Sequence, residues 1–117
     1  MNKELICAQA AHEMNRVYCQ AIGDNSQVKW ENAPTWQKES AINGVKGVMN
    51  GNTPEQSHQS WLIEKIATGW KYGPIKNPDT KEHPCMVSYD QLSEDQRVKD
   101  LIFVNTVKLM LDALKDK

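Results

Sequence analysis

The sequence predicts a mainly α protein of about four helices, with a short extended, hairpin-like insert between helices three and four. Three observations predict it. Apolar residues recur at helical spacing in four segments, helix-capping residues precede two of these, and the stretch 70–87 has three prolines and no helical period. The 117 residues lie in the size range of one domain with one core. We therefore expect a single domain over residues 1–117.

The first helix is expected to end at Gly23, because glycine readily adopts the left-handed conformation that closes a helix. Its predicted apolar face consists of Ile6, Ala10, Met14, Val17, Tyr18, Ala21 and Ile22. The pattern is then lost in a polar loop over residues 24–34. Within this loop Trp30 is expected to fold back onto the core, because an exposed indole leaves a large apolar area in water.

The second helix is expected from about Pro34 to Asn50. Its apolar members are Trp36, Ala41, Val45, Val48 and Met49. Gly44 and Gly47 each destabilise a helix by about 1 kcal/mol relative to alanine. Their presence therefore predicts close packing of this helix against a neighbour.

Capping residues mark the starts of helices three and four. Thr53 can cap the free amides of helix three, with Pro54 in the first turn and Gln56 completing a capping box, and the helix is expected to run to about Gly69. Ser93 repeats this logic for helix four. The predicted apolar members are His58, Trp61, Leu62, Ile66 and Ala67 in helix three and Val98, Leu101, Ile102, Val107, Met110, Leu111 and Leu114 in helix four.

The insert contains two proline-centred turns, at residues 73–74 and 77–79. Residues 70–72 and 85–87 are expected to be short extended segments that face each other. The prolines restrict the backbone, so the insert presents its side chains in a fixed arrangement. Two interpretations remain open: a preorganised binding surface, or a cover over the open end of a helical core.

Composition excludes several classes of function. Fourteen basic and fifteen acidic residues give a net charge of −1, which attracts neither a long nucleic acid nor an anionic membrane. No apolar run approaches the ~20 residues of a membrane span, and no signal-peptide pattern opens the chain. Its three cysteines are an odd number, typical of reduced thiols. We expect a cytoplasmic protein whose 4 Trp, 5 Met and 3 Tyr fill the core.

Motifs for catalysis and metal binding are incomplete. His12-Glu13 begins like a zinc-protease helix, but Arg16 stands where the second histidine is required. His83 and Cys85 lack the further ligands of a structural zinc site. We expect no metal, no cofactor and no enzymatic activity. A hydrolase that uses Cys85 as nucleophile with His83 as base remains as a weaker alternative.

The strongest candidate for binding is a set of aromatic and cationic side chains in the insert and just beyond it. These residues are Trp70, Lys71, Tyr72, Lys76, Lys81, His83 and Tyr89. Stacking surfaces beside cations suit a nucleotide or another small anion. Asp79 and Glu82 argue against a long polyanion. The alternative is a solvated basic turn over packed aromatics.

The same region carries a family resemblance. The residues that carry it, by type and by spacing, are Glu64-Lys65-Ile66, Gly69-Trp70-Lys71-Tyr72-Gly73-Pro74, Lys76, Pro78, Lys81, His83-Pro84-Cys85, Val87, Tyr89, Leu92, Gln96 and Lys99-Asp100. With this core motif over residues 64–100, the chain resembles the ryanodine receptor repeat, or RyR domain, in its single-repeat bacterial or phage form. Ser88 stands where the repeat more often has proline, and Asn77 replaces a usual aspartate.

The resemblance implies a compact helical module with short β segments. In the channels such repeats form tandem pairs on the cytosolic periphery, where they neither line the pore nor catalyse a reaction. A single copy suggests a homodimer that imitates the tandem pair. Prokaryotic members have been suggested to sense nucleotide-like ligands. We expect either ligand sensing at residues 70–89 or, as the alternative, a protein-interaction or homodimerisation module without a small ligand.

Overall fold

The computed structural model of the protein describes residues 2–115. Its four α-helices are α1 (Lys3–Ala21), α2 (Thr35–Met49), α3 (Pro54–Ala67) and α4 (Glu94–Ala113). Two strands of two residues each, β1 (Lys71–Tyr72) and β2 (Glu82–His83), lie between α3 and α4. Single turns of 3₁₀-helix at Trp30–Asn32 and Tyr89–Gln91 complete the described elements. The predicted mainly α class with four helices and an extended insert is confirmed.

Capping chemistry defines the helix ends as predicted. The Thr53 hydroxyl accepts from the Gln56 N–H at 3.2 Å, and the Gln56 side-chain oxygen accepts from the Thr53 N–H at 2.9 Å, which completes the capping box. Gly23 and Gly69 follow α1 and α3, both with φ of 92°. This left-handed conformation ends a helix and is strained for residues with a side chain.

The core is built from small side chains. α1 packs chiefly against α4, with α2 alongside. The buried cluster consists of Cys7, Ala8, Ala11, Trp30, Val45, Val48, Val104 and Val107. Trp30 is 8% exposed and its backbone N–H donates to Glu13 Oε1 at 2.9 Å, so the loop does fold back onto the core as predicted.

The predicted apolar face of α1 is wrong, although the helix itself is confirmed. Met14 and Val17 are 51% and 53% exposed, whereas Cys7, Ala8 and Ala11 are fully buried. Small side chains allow α1 and α4 to approach closely. The close packing that results stabilises the fold more than burial of the larger residues would. The expectation that the large side chains fill the core holds for Trp30 and Trp70, which are 8% and 9% exposed, whereas Trp36 and Tyr72 are 39% and 58% exposed.

The insert pairs differently from the expectation. β1 and β2 are parallel, with Lys71 opposite Glu82, and residues 85–87 form no strand. The hairpin-like part is a single antiparallel bridge between Asn77 and Glu82. The Asn77 side chain accepts from the Asp79 N–H at 3.0 Å and so reverses the chain before β2 begins. The segment at Asn77 runs antiparallel to β2, so this reversal returns the chain to the direction of β1 and the two strands are parallel.

Close packing at Gly44 is confirmed. A Cβ added there would lie 2.8 Å from Cζ of Phe103 in α4, nearer than real Cβ contacts come. The absence of a side chain on Gly44 therefore lets α2 lie directly against the Phe103 ring. Within residues 2–115, none of the helices combines the length and the apolar character needed to cross a membrane.

Candidate ligand-binding cavity

A cavity of about 450 Å³ opens between the helices and the insert. Every helix contributes to its wall, for example through Ala11, Gly44, His58 and Asp100, and Lys76 comes from the insert. This volume lies in the range of small-molecule sites, which is about 300–1,000 Å³. We refer to it as the central cavity.

Aromatic rings form much of the wall. Trp36 and Trp70 have ring centroids 5.6 Å apart at an interplanar angle of 50°. Trp61 stacks on His58 at 5.6 Å and 28°, and meets His83 edge-on at 5.1 Å. Trp61 and its neighbours therefore offer flat apolar surfaces with polar ring atoms between them, a setting suited to a planar ligand.

The most unusual group in the cavity is the Lys65 side chain. Lys65 is only 6% exposed, and its Nζ lies 4.7 Å from the Trp36 ring centroid and 5.4 Å from that of Trp70. Within residues 2–115, no carboxylate lies within 4 Å of this ammonium and none of its three N–H donors is in a hydrogen bond. Burial lowers the pKa of Lys65, an effect that Glu64 partly opposes. Lys65 is thus a buried cation held by aromatic faces.

Two further lysines extend this positive end of the cavity. Lys76 of the insert and Lys99 of α4 both line it. Burial lowers the pKa of Lys76, and the positive charge of Lys99 lowers it further. Lys65, Lys76 and Lys99 thus all line the cavity, so an anion bound there would be attracted by their positive charges.

His83 contributes a neutral donor rather than a charge. Its Nδ1 accepts from the Cys85 N–H at 3.0 Å, which places the ring proton on Nε2. Burial lowers the pKa of His83 to about 4, and the neighbouring lysines add to this effect. Near neutral pH the ring is therefore uncharged and can donate one hydrogen bond from Nε2.

The geometry argues against Cys85 as a nucleophile. Burial raises the pKa of its thiol to about 11, and the thiol donates to Gln96 Oε1 at 3.0 Å. The basic nitrogen of His83 is already occupied by the Cys85 backbone N–H. A neutral thiol without a base is a packed side chain, since the thiolate is the reactive form.

Asp100 and His58 contribute polar side chains to another part of the cavity wall. His58 Nε2 lies 2.7 Å from the Val87 carbonyl, which can only accept, so Nε2 carries a proton. Asp100 Oδ2 lies 3.8 Å from His58 Nδ1. Burial raises the pKa of Asp100 to about 7, although Lys99 opposes the shift. In the described part of the chain, no donor lies within hydrogen-bonding distance of the carboxylate.

Two polar atoms in the cavity wall also lack partners. Asn15 Oδ1 and Ser57 Oγ are buried and, within residues 2–115, form no hydrogen bond. Both residues line the central cavity. Buried polar groups in native proteins are nearly always hydrogen-bonded, so such groups mark positions where a ligand can complete the network.

Three of the sequence-predicted site residues meet in the cavity, namely Trp70, Lys76 and His83. Lys71, Tyr72 and Lys81 are exposed on the outside of the insert, where Lys81 Nζ donates to the Thr68 carbonyl at 2.8 Å. Tyr89 packs beside His58, with ring centroids 6.1 Å apart. A role in binding for these seven residues stays a prediction.

Sequence reasoning missed several residues of the cavity wall as binding candidates: Trp36, Trp61, Lys65, Lys99 and Asp100. One signal could have found Lys65. Its position is seven residues after His58 and four after Trp61, a spacing that places all three on one face of a helix. For metals, the described chain contains no cluster of three or more His, Cys, Asp or Glu side chains placed to hold an ion.

A comparison with protein-family models identifies a family for this chain. The model described as the RyR domain matches residues 36–114, more than half of the chain. The matched region runs from α2 through the insert to the end of α4, and so includes Trp36, Lys65, Trp70 and Asp100. Asn15 in α1 lies outside it.

Proposed function

We propose a function for this chain from the premise that it belongs to the RyR domain family. The module acts as a sensor: it binds a small anionic, nucleotide-like ligand in the central cavity, and it catalyses no reaction. The single observation that carries this proposal is the Lys65 side chain, which is 6% exposed, places its ammonium beside aromatic rings in the cavity wall, and has no carboxylate within 4 Å in residues 2–115.

Burying a charge without a partner is costly, so a fold selected for stability alone would place an apolar side chain at this position. The rings of Trp36 and Trp70 attract the ammonium through cation–π contacts worth about 0.5–2 kcal/mol. They leave the N–H donors of Lys65 without acceptors. A phosphate or carboxylate oxygen would satisfy these donors through charge-assisted hydrogen bonds, the stronger class of such bonds.

The aromatic wall supports a planar ligand rather than a bare anion. Trp61 and Trp70 offer ring faces beside the lysines, and His83 adds a neutral N–H donor. A base stacked on an indole gains about 1–3 kcal/mol. A nucleotide combines such a base with a phosphate, which fits both features of the cavity.

The proposal can be tested by thermal unfolding of the wild type with a panel of nucleotides and small anions. A ligand that binds the folded state at 100 times its Kd adds about 2.7 kcal/mol to stability and raises the unfolding temperature. We expect at least one nucleotide to do so and Lys65→Met to abolish the shift. Lys108→Met, which removes an exposed lysine of α4 that does not line the cavity, serves as the matched control and should leave the shift unchanged. Absence of any shift in the wild type, or an equal shift in Lys65→Met, would overturn the proposal.

A second candidate is a protein-interaction or homodimerisation module. Ile63 and Ile66, one turn apart on α3, are 68% and 60% exposed, which gives this helix an apolar outer surface. A single repeat that pairs with a second copy would imitate a tandem pair. Light scattering tests it: a dimer that Ile66→Lys converts to a monomer supports this candidate, and a wild-type monomer at high concentration excludes the homodimer.

We also propose a cytoplasmic location. Cys7, Cys19 and Cys85 are all free thiols, and the first two are fully buried. Free thiols are typical of proteins in reducing compartments.

A further inference from the structure

Two ionisable side chains of opposite type, Lys65 and Asp100, line the central cavity without forming an ion pair with each other. Lys65 has no carboxylate within 4 Å, and the Asp100 carboxylate has no hydrogen-bond donor, in both cases among residues 2–115. Both side chains line the same cavity. Lys65 is 6% exposed and the Asp100 side chain is 23% exposed, and the two form no ion pair with each other in the described structure.

The architecture of α3 keeps them apart. Asp100 lies against His58, which precedes Lys65 by seven residues on this helix. At a rise of 1.5 Å per residue, the two positions are about 10 Å apart along the helix axis. A ligand that contacts both groups would carry an anion for Lys65 and hydrogen-bond donors for Asp100.

Beside the Lys99 cation, the cavity wall around Asp100 and His58 carries several atoms that can accept hydrogen bonds. In the neutral His58 ring, Nδ1 is a lone pair, because Nε2–H donates to the Val87 carbonyl. Ser57 Oγ, next to His58 in the chain, is a buried oxygen without a partner in the described structure. Asp100 and His58 can thus accept hydrogen bonds in the cavity wall, the Ser57 hydroxyl can accept or donate one, and an edge with more than one N–H donor complements the two carboxylate oxygens.

We propose that Asp100 and His58 form a base-reading subsite, and that the ligand is a nucleotide whose base presents two adjacent N–H donors, as guanine does. The two carboxylate oxygens accept the N1–H and the 2-amino group in parallel. Adenine places a ring lone pair next to its amino group and would set that lone pair against an oxygen. This inference rests on the proposed function, since the phosphate is held by Lys65.

Calorimetric titration of the wild type at pH 8, where Asp100 is ionised, tests the subsite with four probes: GMP, IMP, AMP and ribose 5-phosphate. IMP differs from GMP only by the missing 2-amino group. We expect GMP to bind about 10-fold to 100-fold more tightly than IMP, because a hydrogen bond to a buried charge is lost. AMP and ribose 5-phosphate should bind more weakly than GMP.

Asp100→Asn gives the matched variant. It should remove the preference for GMP over IMP while leaving the affinity for ribose 5-phosphate unchanged. Equal affinities of the wild type for GMP and IMP would overturn the subsite, and this outcome needs no variant to fold. If ribose 5-phosphate and IMP still bind and Lys65→Met loses them, the proposed function stands without the subsite. If none of the four probes binds the wild type, the proposed function fails as well.

Discussion

The helix-bundle core and the central cavity use side chains in opposite ways. The core consists largely of small, fully buried residues such as Ala8, Ala11 and Val104. The cavity takes large aromatic residues, leaves Trp36 39% exposed, and includes the ammonium of Lys65, which has no carboxylate within 4 Å among residues 2–115. In the core every buried group contributes to packing. The cavity wall departs from that rule, and such departures are expected where a protein binds something.

The largest effect that can test this contrast comes from the tryptophans. Trp30→Ala removes a ring that is 8% exposed in the core cluster and should lower the free energy of unfolding by about 3–5 kcal/mol. Trp36→Ala removes the same ring from the cavity wall and should lower it by less, because that ring is only partly buried. Urea denaturation of both variants provides the measurement. Equal losses would remove the distinction between core and wall.

The next largest effect is the pH dependence of stability that Asp100 causes. The groups that face it are His58 from α3, Cys85 from the insert and Lys99 from α4. Its pKa is raised from 3.8 to about 7, so the folded state holds a proton that the unfolded state has lost. The stability that this provides is present at low pH and is lost as pH rises through 7.

The Asp100→Asn variant has no such proton to lose. We expect the free energy of unfolding of the variant, relative to that of the wild type, to increase by about 3 kcal/mol from pH 5 to pH 8. His83 has the opposite slope, because its pKa falls from 6.5 to about 4 and stability rises with pH in that window. Because His83 is present in both proteins, its contribution cancels in the difference between their free energies of unfolding. A constant difference across this pH range would show that Asp100 has an ordinary pKa.

Two glycines of α2 give a smaller effect that sharpens the comparison. A Cβ at Gly44 would meet the Phe103 ring at 2.8 Å, so Gly44→Ala should destabilise by about 1–3 kcal/mol. A Cβ at Gly47 would meet the end of the flexible Asn52 side chain at 2.6 Å, and the alanine gains about 1 kcal/mol of helix propensity. Gly47→Ala should therefore be close to neutral. Thermal denaturation distinguishes them, and a stabilising Gly44→Ala would contradict the close packing.

Local signals in the sequence predicted the helices well. The capping box at Thr53 and the glycine after α3 act through neighbouring residues, so their effects can be recognised without the fold. The buried face of α1 could not be predicted in the same way. Which face is buried depends on how closely α4 approaches, and that distance is set by small residues such as Ala8 and Ala11.

The cavity was predicted only in part. Trp70, Lys76 and His83 were chosen for their side-chain types, and they do line it. Lys65 and Asp100 were missed because a charged residue on a helix is normally solvated. Their burial results from the way the insert and α4 close over α3, a tertiary arrangement that side-chain type and local spacing do not reveal.

The central claim is that Lys65 is retained for binding and not for stability. The free energy of unfolding of Lys65→Met, measured in urea without any ligand, tests it most directly. We predict a value equal to or above that of the wild type, because methionine fills the same space between Trp36 and Trp70 without burying a charge. A loss of about 2 kcal/mol or more, the size expected for a packed structural residue, would contradict the account.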